Sequence, residues 1–255
     1  MITLPRTPSF KLTGRRALVT GASRGIGLGA AVALAEADAH VVLAARGEAD
    51  LMDAVDAISA IGGSCEAWVM DINDTDSVKQ RIVEMPTFNI LVNNAGINRP
   101  GPFAEMSTDD FDAVLQTNVR STFFLTQAVA ETMQKKAQGG SIISVSSQMG
   151  KVGGIDRTVY CTSKHALEGF SKALAIKLGA ANIRVNTICP TFIRTPLTES
   201  TFANEERLAW IKSKIKLGRI GNIEDIMGAI VFLASDAAAM ITGSALMIDG
   251  GWTTG

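Results

Sequence analysis

The chain has 255 residues, 47% of them hydrophobic and 24 of them glycine, a composition that suits one compact domain with a large core and excludes a disordered or fibrous polypeptide. Lysine and arginine total 24 against 25 aspartates and glutamates, and the net charge of -1 argues against a general nucleic-acid or anionic-membrane surface. Cys65, Cys161 and Cys189 are scattered without a Cys-x-x-Cys pair, as reduced thiols are, and with His40 and His165 as the only histidines a His-built metal site is disfavoured; no metal is expected.

The N-terminal MITLPRTPSFKLTGRR holds no apolar run of signal length, and no stretch reaches the ~20 apolar residues of a membrane span, so a cytoplasmic protein is expected. RALVT (16–20) reads as a short buried strand ending in Thr-Gly, and the alanine-rich GIGLGAAVALAEADA (25–39) as a helix. HVVLAAR (40–46) is a second buried-strand run. EADLMDAVDAISAIGG (48–63) places apolar residues at 51, 54, 55, 58 and 61, the spacing of an amphipathic helix that stops at Gly62 and Gly63. CEAWVMD (65–71) is read as a strand, DTDSVKQRIVEM (74–85) as a helix, and NILVNNAG (89–96) as a strand running into a turn. Residues 108–137 read as one long helix, SIISVSS as a strand, 158–179 as a helix and IRVNTICP as a strand; 191–221 is the least regular segment, followed by a helix at 223–235 and a final strand in SALMIDGG. Strand and helix alternate with short connections and no linker or repeat, which predicts one α/β domain with a doubly wound parallel sheet.

TGASRGIG (20–27) stands between the first strand and the first helix, with glycines at Gly21, Gly25 and Gly27. Residues without a Cβ let the backbone approach a phosphate, and the helix start then offers free N–H groups and the positive end of its dipole. A tight structural turn would use the same glycines; the position after a buried strand favours nucleotide binding. No Gly-Lys-Ser/Thr follows, which disfavours a triphosphate loop. A carboxylate for an NAD ribose belongs roughly 20 residues past the glycines, yet LAAR (43–46) has no acid before Glu48. Arg46 there and Arg24 in the glycine turn suit a 2′-phosphate, or are solvated surface cations. NADP(H) is the expected cofactor, NAD the second choice.

Tyr160 is the chain's only tyrosine, and Lys164 follows one helical turn later on the same face. A phenol of ordinary pKa near 10 exchanges protons poorly at neutral pH, and a neighbouring ammonium is expected to lower that value. The pair suits acid/base work on a carbonyl or alcohol, although an isolated Y-x-x-x-K is usually a helix-surface accident.

TGASRGIG, NNAG (93–96), a serine thirteen residues before Tyr160, and YCTSK, in that order, resemble the short-chain dehydrogenase/reductase family from about residue 11 to the C-terminal IDGG. The resemblance implies a Rossmann-like three-layer sandwich with a mostly parallel sheet, and interconversion of a carbonyl and a secondary alcohol by hydride transfer. It implies a catalytic set of Asn118, Ser147, Tyr160 and Lys164: Tyr160 moves the proton, Lys164 lowers its pKa and holds the nicotinamide ribose, Ser147 bonds the substrate oxygen, and Asn118 joins a water-mediated relay. Ser146 is off by one. Asn118 also reads as a surface-facing or satisfied core residue amid Val114, Leu115, Val119 and Phe123.

The cofactor set implied by the resemblance is Gly21, Ser23, Arg24, Gly25, Ile26 and Gly27 in the first turn, Arg46, Asp71 and Ile72 toward the adenosine, Asn94, Ala95 and Gly96 alongside, and Pro190, Ile193 and Thr195 at the nicotinamide, besides Tyr160 and Lys164. Asp71 equally reads as a helix N-cap, and Asn93 as a brace of the sheet. PTFIRT (190–195) has Thr191 where the family has glycine, which puts the local backbone in question. Met149 and Cys161 read as packing residues, and His165 as a core or interface residue.

Residues 196–217 are expected to form a substrate lid, in which Phe202, Leu208, Trp210 and Ile211 either line an apolar pocket or form the buried side of a helix. The substrate is expected to be a sugar or polyol, a 3-oxoacyl thioester or another ketone; Lys135, Lys136, Lys172 and Lys177 would meet an acidic carrier, or are simply solvated. A catalytically silent cofactor-binding sensor or scaffold is the non-enzyme alternative. The family resemblance and the apolar Phe111, Leu115, Phe123, Phe124, Leu125 and Val129, with Trp252 near the C-terminus, point to a homotetramer.

Overall fold

Seven strands pair into one sheet in the computed structural model, which describes residues 2–255. They are β1 (Arg16–Thr20), β2 (His40–Ala45), β3 (Ser64–Val69), β4 (Ile90–Asn93), β5 (Gly140–Val145), β6 (Ile183–Pro190) and β7 (Ala245–Ile248). Their order is β3-β2-β1-β4-β5-β6-β7, and every pairing is parallel. The helices are α1 (Gly25–Glu36), α2 (Glu48–Ala60), α3 (Thr75–Glu84), α4 (Thr108–Leu115), α5 (Thr122–Lys136), α6 (Thr158–Leu178), α7 (Glu199–Phe202), α8 (Glu205–Lys214) and α9 (Glu224–Ala234).

Alternate strand residues serve opposite layers. Ala17, Val19, Val41 and Leu43 join the core under α1, α2 and α9, while Leu18, Val42, Leu91 and Ile142 join the one under α3, α5 and α6. Both faces are covered, so these strands read as unbroken apolar runs. Each fully buried side chain of this kind stabilises the fold by about 1.5–3 kcal/mol, and Leu18→Ala, at the centre between Val42 and Leu91, should cost roughly 2–5 kcal/mol. Alanine and glycine in α1 set its close approach: a Cβ on Gly29 would overlap Ile223 just before α9. The doubly wound three-layer arrangement expected from the alternation is the one found.

Three segments differ from the sequence expectation. The helix expected over 108–137 is interrupted at Gln116–Ser121 by a wide π-type turn that takes in one extra residue. Ser121 Oγ donates to the Gln116 carbonyl at 2.9 Å across that turn. Second, the 191–221 segment contains α7 and α8, whose apolar side forms a small third core of Phe202, Ile211, Ile215 and Ile220, with Phe192, Leu208 and Trp252 against it. Trp210 stays 44% exposed and meets Trp252 edge-on at 5.6 Å. Third, the final strand stops at Ile248, where Asp249 turns the chain by accepting from the Gly251 and Thr253 N–H groups. No helix among the described residues is long and apolar enough to cross a membrane.

Candidate active site

The strand order reverses between β1 and β4, and the carboxyl ends of these two strands open a crevice at that point. The turns leaving them are locked together. Thr20 Oγ1 accepts from the Asn94 and Ala95 N–H groups at 3.0 and 3.1 Å, and Asn94 Nδ2 donates to the Thr20 and Gly21 carbonyls at 2.9 and 3.1 Å. Gly21 and Gly25 adopt left-handed φ values of 63° and 59°, which favour glycine. A Cβ on Gly27 would overlap both the Gly21 carbonyl oxygen and the Asn94 amide. Arg24 precedes α1 without a side-chain capping bond, so the first N–H groups of that helix and its positive dipole end face the crevice without a protein partner.

Arg24 and Arg46 are both exposed, and neither has an ion pair among the described residues. Ser23 and Ile26 are half-buried in the first turn, and Ile72 is buried. Asp71 is exposed and its Oδ1 accepts from the Asn73 N–H at 2.9 Å; the N-cap of α3 is Asp74, so the capping alternative for Asp71 is corrected. On the far side Pro190 closes β6, Ile193 is buried, and Thr195 packs 3.6 Å from where a Gly25 Cβ would stand. Thr191 is absent from the positive-φ residues, so this backbone does not require glycine there; its hydroxyl is buried without a partner. A Cβ-free cradle, an uncapped helix start and two unpaired guanidinium groups together fit the diphosphate and 2′-phosphate of a dinucleotide.

A cavity of about 470 Å³ lies next to this strip, bordered by Thr191, Ile193, Ile215, Asp225, Ile248 and Gly250 among others. None of Asn118, Ser147, Tyr160 or Lys164 lines it: Ser147 follows β5, Tyr160 and Lys164 stand on α6, and Asn118 lies between α4 and α5.

Asn118 sits inside the π-type turn, 1% exposed. Its Oδ1 accepts from the Ile97 N–H at 2.8 Å; its Nδ2 donates to the Ile97 carbonyl at 2.9 Å and to Ser163 Oγ at 3.1 Å. Its oxygen lies 3.1 Å from the position of a Gly96 Cβ, so the glycine cradle, the Asn94–Gly96 turn, Asn118 and α6 form one continuous chain of contacts. Ser147 follows β5, and its Oγ accepts from the Met149 N–H at 3.1 Å. Ser146 lies toward Gly150 and Glu168 instead. Asn93 bonds Thr126 and Ser144 and braces β4 against α5 and β5.

Tyr160 and Lys164 share one face of α6, with the ammonium 5.5 Å from the ring centroid. Lys164 Nζ donates to the Val145 carbonyl at 2.8 Å, and burial lowers its pKa to about 8. The tyrosine departs from expectation. Burial raises its pKa above the ordinary value, against the expected lowering, while hydrogen bonding with Ser147 and the charge of Arg157 act the other way.

Two charged residues went unnoticed in the sequence. Glu168, one turn beyond Lys164 and 6% exposed, pairs with Lys151 and accepts from Cys189 Sγ at 3.4 Å. Arg157, three residues before Tyr160, is 8% exposed. The i+4 spacing from Lys164 was the available signal for Glu168; nothing in the pattern marked Arg157 as buried. Cys161 is half-buried with a raised pKa, mainly from burial, which leaves it a poor nucleophile. His165 is exposed rather than a core residue, its Nδ1 2.9 Å from the Cys161 carbonyl oxygen.

A family model described as enoyl-(acyl carrier protein) reductase matches residues 21–253. D-erythrulose reductase of Gallus gallus is 37% identical over 245 residues, 96% of this chain and 98% of that protein. Gluconate 5-dehydrogenase of Gluconobacter oxydans (strain 621H) is 38% identical over 250 residues, 96% of each chain. A solved gluconate 5-dehydrogenase from Burkholderia cenocepacia J2315, in complex with NADP and tartrate, superposes with a TM-score of 0.93 at 32% identity, over 96% of this chain and 98% of that one.

Proposed function

The chain belongs to the short-chain dehydrogenase/reductase family, and from that premise we propose that it interconverts a carbonyl and a secondary alcohol with NADP(H), with Tyr160 moving the proton. The carrying observation is the placement of the only tyrosine on α6 between the Ser147 hydroxyl and the Lys164 ammonium, joined through Asn118 to the glycine cradle.

Gly21, Ser23, Gly25, Ile26 and Gly27 would hold the diphosphate on the start of α1, and Arg24 and Arg46 the 2′-phosphate, with NAD as the weaker alternative. Asp71 and Ile72 would meet the adenine; Asn94, Ala95 and Gly96 would lie along the ribose side; Pro190, Ile193 and Thr195 would meet the nicotinamide, and Lys164 its ribose. NADP, when bound, supplies or accepts the hydride, chemistry that no side chain provides. Ser147 and Tyr160 orient the substrate oxygen by hydrogen bonds. Tyr160 gives its proton to that oxygen in reduction. Oxidation needs the phenolate, which the Lys164 ammonium and a cationic nicotinamide both favour. Lys164 and Asn118 return the proton through ordered water.

The substrate carries a sugar-type or oxoacyl-type ketone. D-erythrulose reductase and gluconate 5-dehydrogenase support the first class, and the acyl-carrier description of the family the second. We take residues 1–255 as one cofactor-binding domain, with 196–217 as a lid over the substrate, in a cytoplasmic homotetramer. Phe123 and Phe124, 42% and 38% exposed on α5, support a subunit interface there; light scattering measures the assembly.

Tyr160→Phe should lower NADPH-linked ketone turnover by roughly 10²–10⁴-fold while NADPH still binds. Wild-type turnover in this variant would overturn the assignment. Cofactor binding without turnover of any ketone in a broad panel, by the unmutated protein, would favour a silent sensor instead.

A further inference from the structure

Four charged residues are buried among those described: Arg157, Lys164, Glu168 and Asp249. Three have evident partners. Lys164 bonds the Val145 carbonyl, Glu168 pairs with Lys151, and Asp249 accepts three bonds from Gly251 and Thr253. Arg157 has no ion pair among the described residues, and its guanidinium makes a single hydrogen bond, Nη1 to the neighbouring Asp156 carbonyl at 3.2 Å. Its other nitrogens are not among the fully enclosed, unpartnered atoms, so they reach open space.

The position adds to the positive charge. Arg157 is the residue before the first turn of the 21-residue α6, where the helix dipole is positive and an anion, not a cation, is stabilised. Arg207, on α8 within the 196–217 segment, adds a like charge that bears on it, while Asp156, Tyr160 and Cys161 act in the opposite sense. A guanidinium stays charged in a protein, so the N–H groups that Arg157 leaves unbonded are donors open to an anion. The guanidinium-bearing residue and the positive end of α6 thus stand within three residues of Tyr160.

We propose that Arg157 receives a carboxylate of the substrate, so that the chain acts on sugar-derived keto acids or hydroxy acids. This deepens the oxidoreductase reading above and rests on it. Both carboxylate and phosphate fit the guanidinium fork. A single buried guanidinium matches a singly charged carboxylate more closely than a doubly charged phosphate. Tyr160 and Ser147 would then hold the reacting oxygen while Arg157 fixes the far end of the chain, a selectivity that the proton-transfer residues alone cannot give.

The test compares 5-keto-D-gluconate with L-sorbose, which differs from it by a hydroxymethyl group in place of the carboxylate, and with D-fructose 6-phosphate. Wild-type kcat/KM with NADPH should favour the carboxylate over L-sorbose by an order of 10- to 150-fold, the worth of a hydrogen bond to a charged group. Arg157→Met should collapse that ratio toward one, and Arg157→Lys should restore part of it. A wild-type ratio near one, a preference for the phosphate ester, or a Met variant that slows both ketones equally would overturn the proposal and leave the oxidoreductase reading intact. The wild-type ratio decides the matter even if the Met variant fails to fold. Calorimetric binding of D-gluconate to the NADP-loaded protein, lost in Arg157→Met, with no ketone reduced by the wild type, would keep the anion site and sink the reaction instead.

Discussion

Burial governs both members of the Tyr160–Lys164 pair and moves their pKa values apart, each toward its neutral form. The phenol is pushed above its usual value and the ammonium down to about 8. Because Tyr160 is the only tyrosine, phenolate absorbance in the near ultraviolet reports it alone. In the cofactor-free protein that signal should appear at higher pH than for free tyrosine, and adding NADP should move it down; a transition at the free-amino-acid position in both forms would contradict this electrostatic account. At the other end of the crevice, Arg46→Ala should raise KM for NADPH by about 10- to 150-fold and change KM for NADH little. These residues were legible in the sequence because they sit in dense, ordered motifs. Arg157 and Glu168 were not, since a lone charge in a string normally belongs to solvent and only the fold encloses it.

At the scale of elements, the stretch that carries Ser147 is fastened to the helix that carries Tyr160 and Lys164. Gly150 permits the contact: a Cβ there would press on Ser146 Oγ at 2.9 Å and on Glu168 Cγ at 3.1 Å. Lys151 and Glu168 close it with an ion pair whose carboxylate is buried and whose ammonium is partly exposed. Removing one partner of a buried pair leaves the other uncompensated, at a cost of about 3–5 kcal/mol. Partial exposure of Lys151 puts Lys151→Met at or below the lower end of that range. The partners of Glu168 hold its pKa below the ordinary glutamate value despite burial. Its stabilising contribution is thus present above the unfolded-state value near 4.5 and fades as pH falls through the lower folded value. The penalty of Lys151→Met, measured by urea denaturation, should therefore shrink below about pH 4.5. A penalty independent of pH would show that the pair does not act through charge. The π-type turn at 116–121 escaped the sequence reading because its residues all have ordinary helical character, and one extra residue shifts the apolar pattern too little to register. The capping of α3 was ambiguous for a related reason: DINDTD offers three acids within six residues, and only the backbone shows that Asp74 accepts from Ser77.

For the molecule as a whole, strand positions were the most readable feature. A parallel sheet covered on both faces demands continuous apolar runs, and these mark strands well. The order of the strands and the closure of α7 and α8 into a third core depend on contacts distant in sequence, which local patterning does not encode. Ligand linkage offers a global check. NADPH at a hundred times its Kd should add about 2.7 kcal/mol and raise Tm by roughly 5–10 °C for a chain of this size. NADH at the same concentration should add less; equal shifts would defeat the 2′-phosphate assignment to Arg24 and Arg46.

The surplus residue between α4 and α5 interrupts a hydrogen-bond ladder that a shorter chain would complete, and what it gives in exchange is an amide turned inward to hold Ile97. Take one residue out there, and α4 and α5 would run on as a single straight rod; every side chain beyond the deletion would swing about a third of a turn, and the amide would leave Ile97.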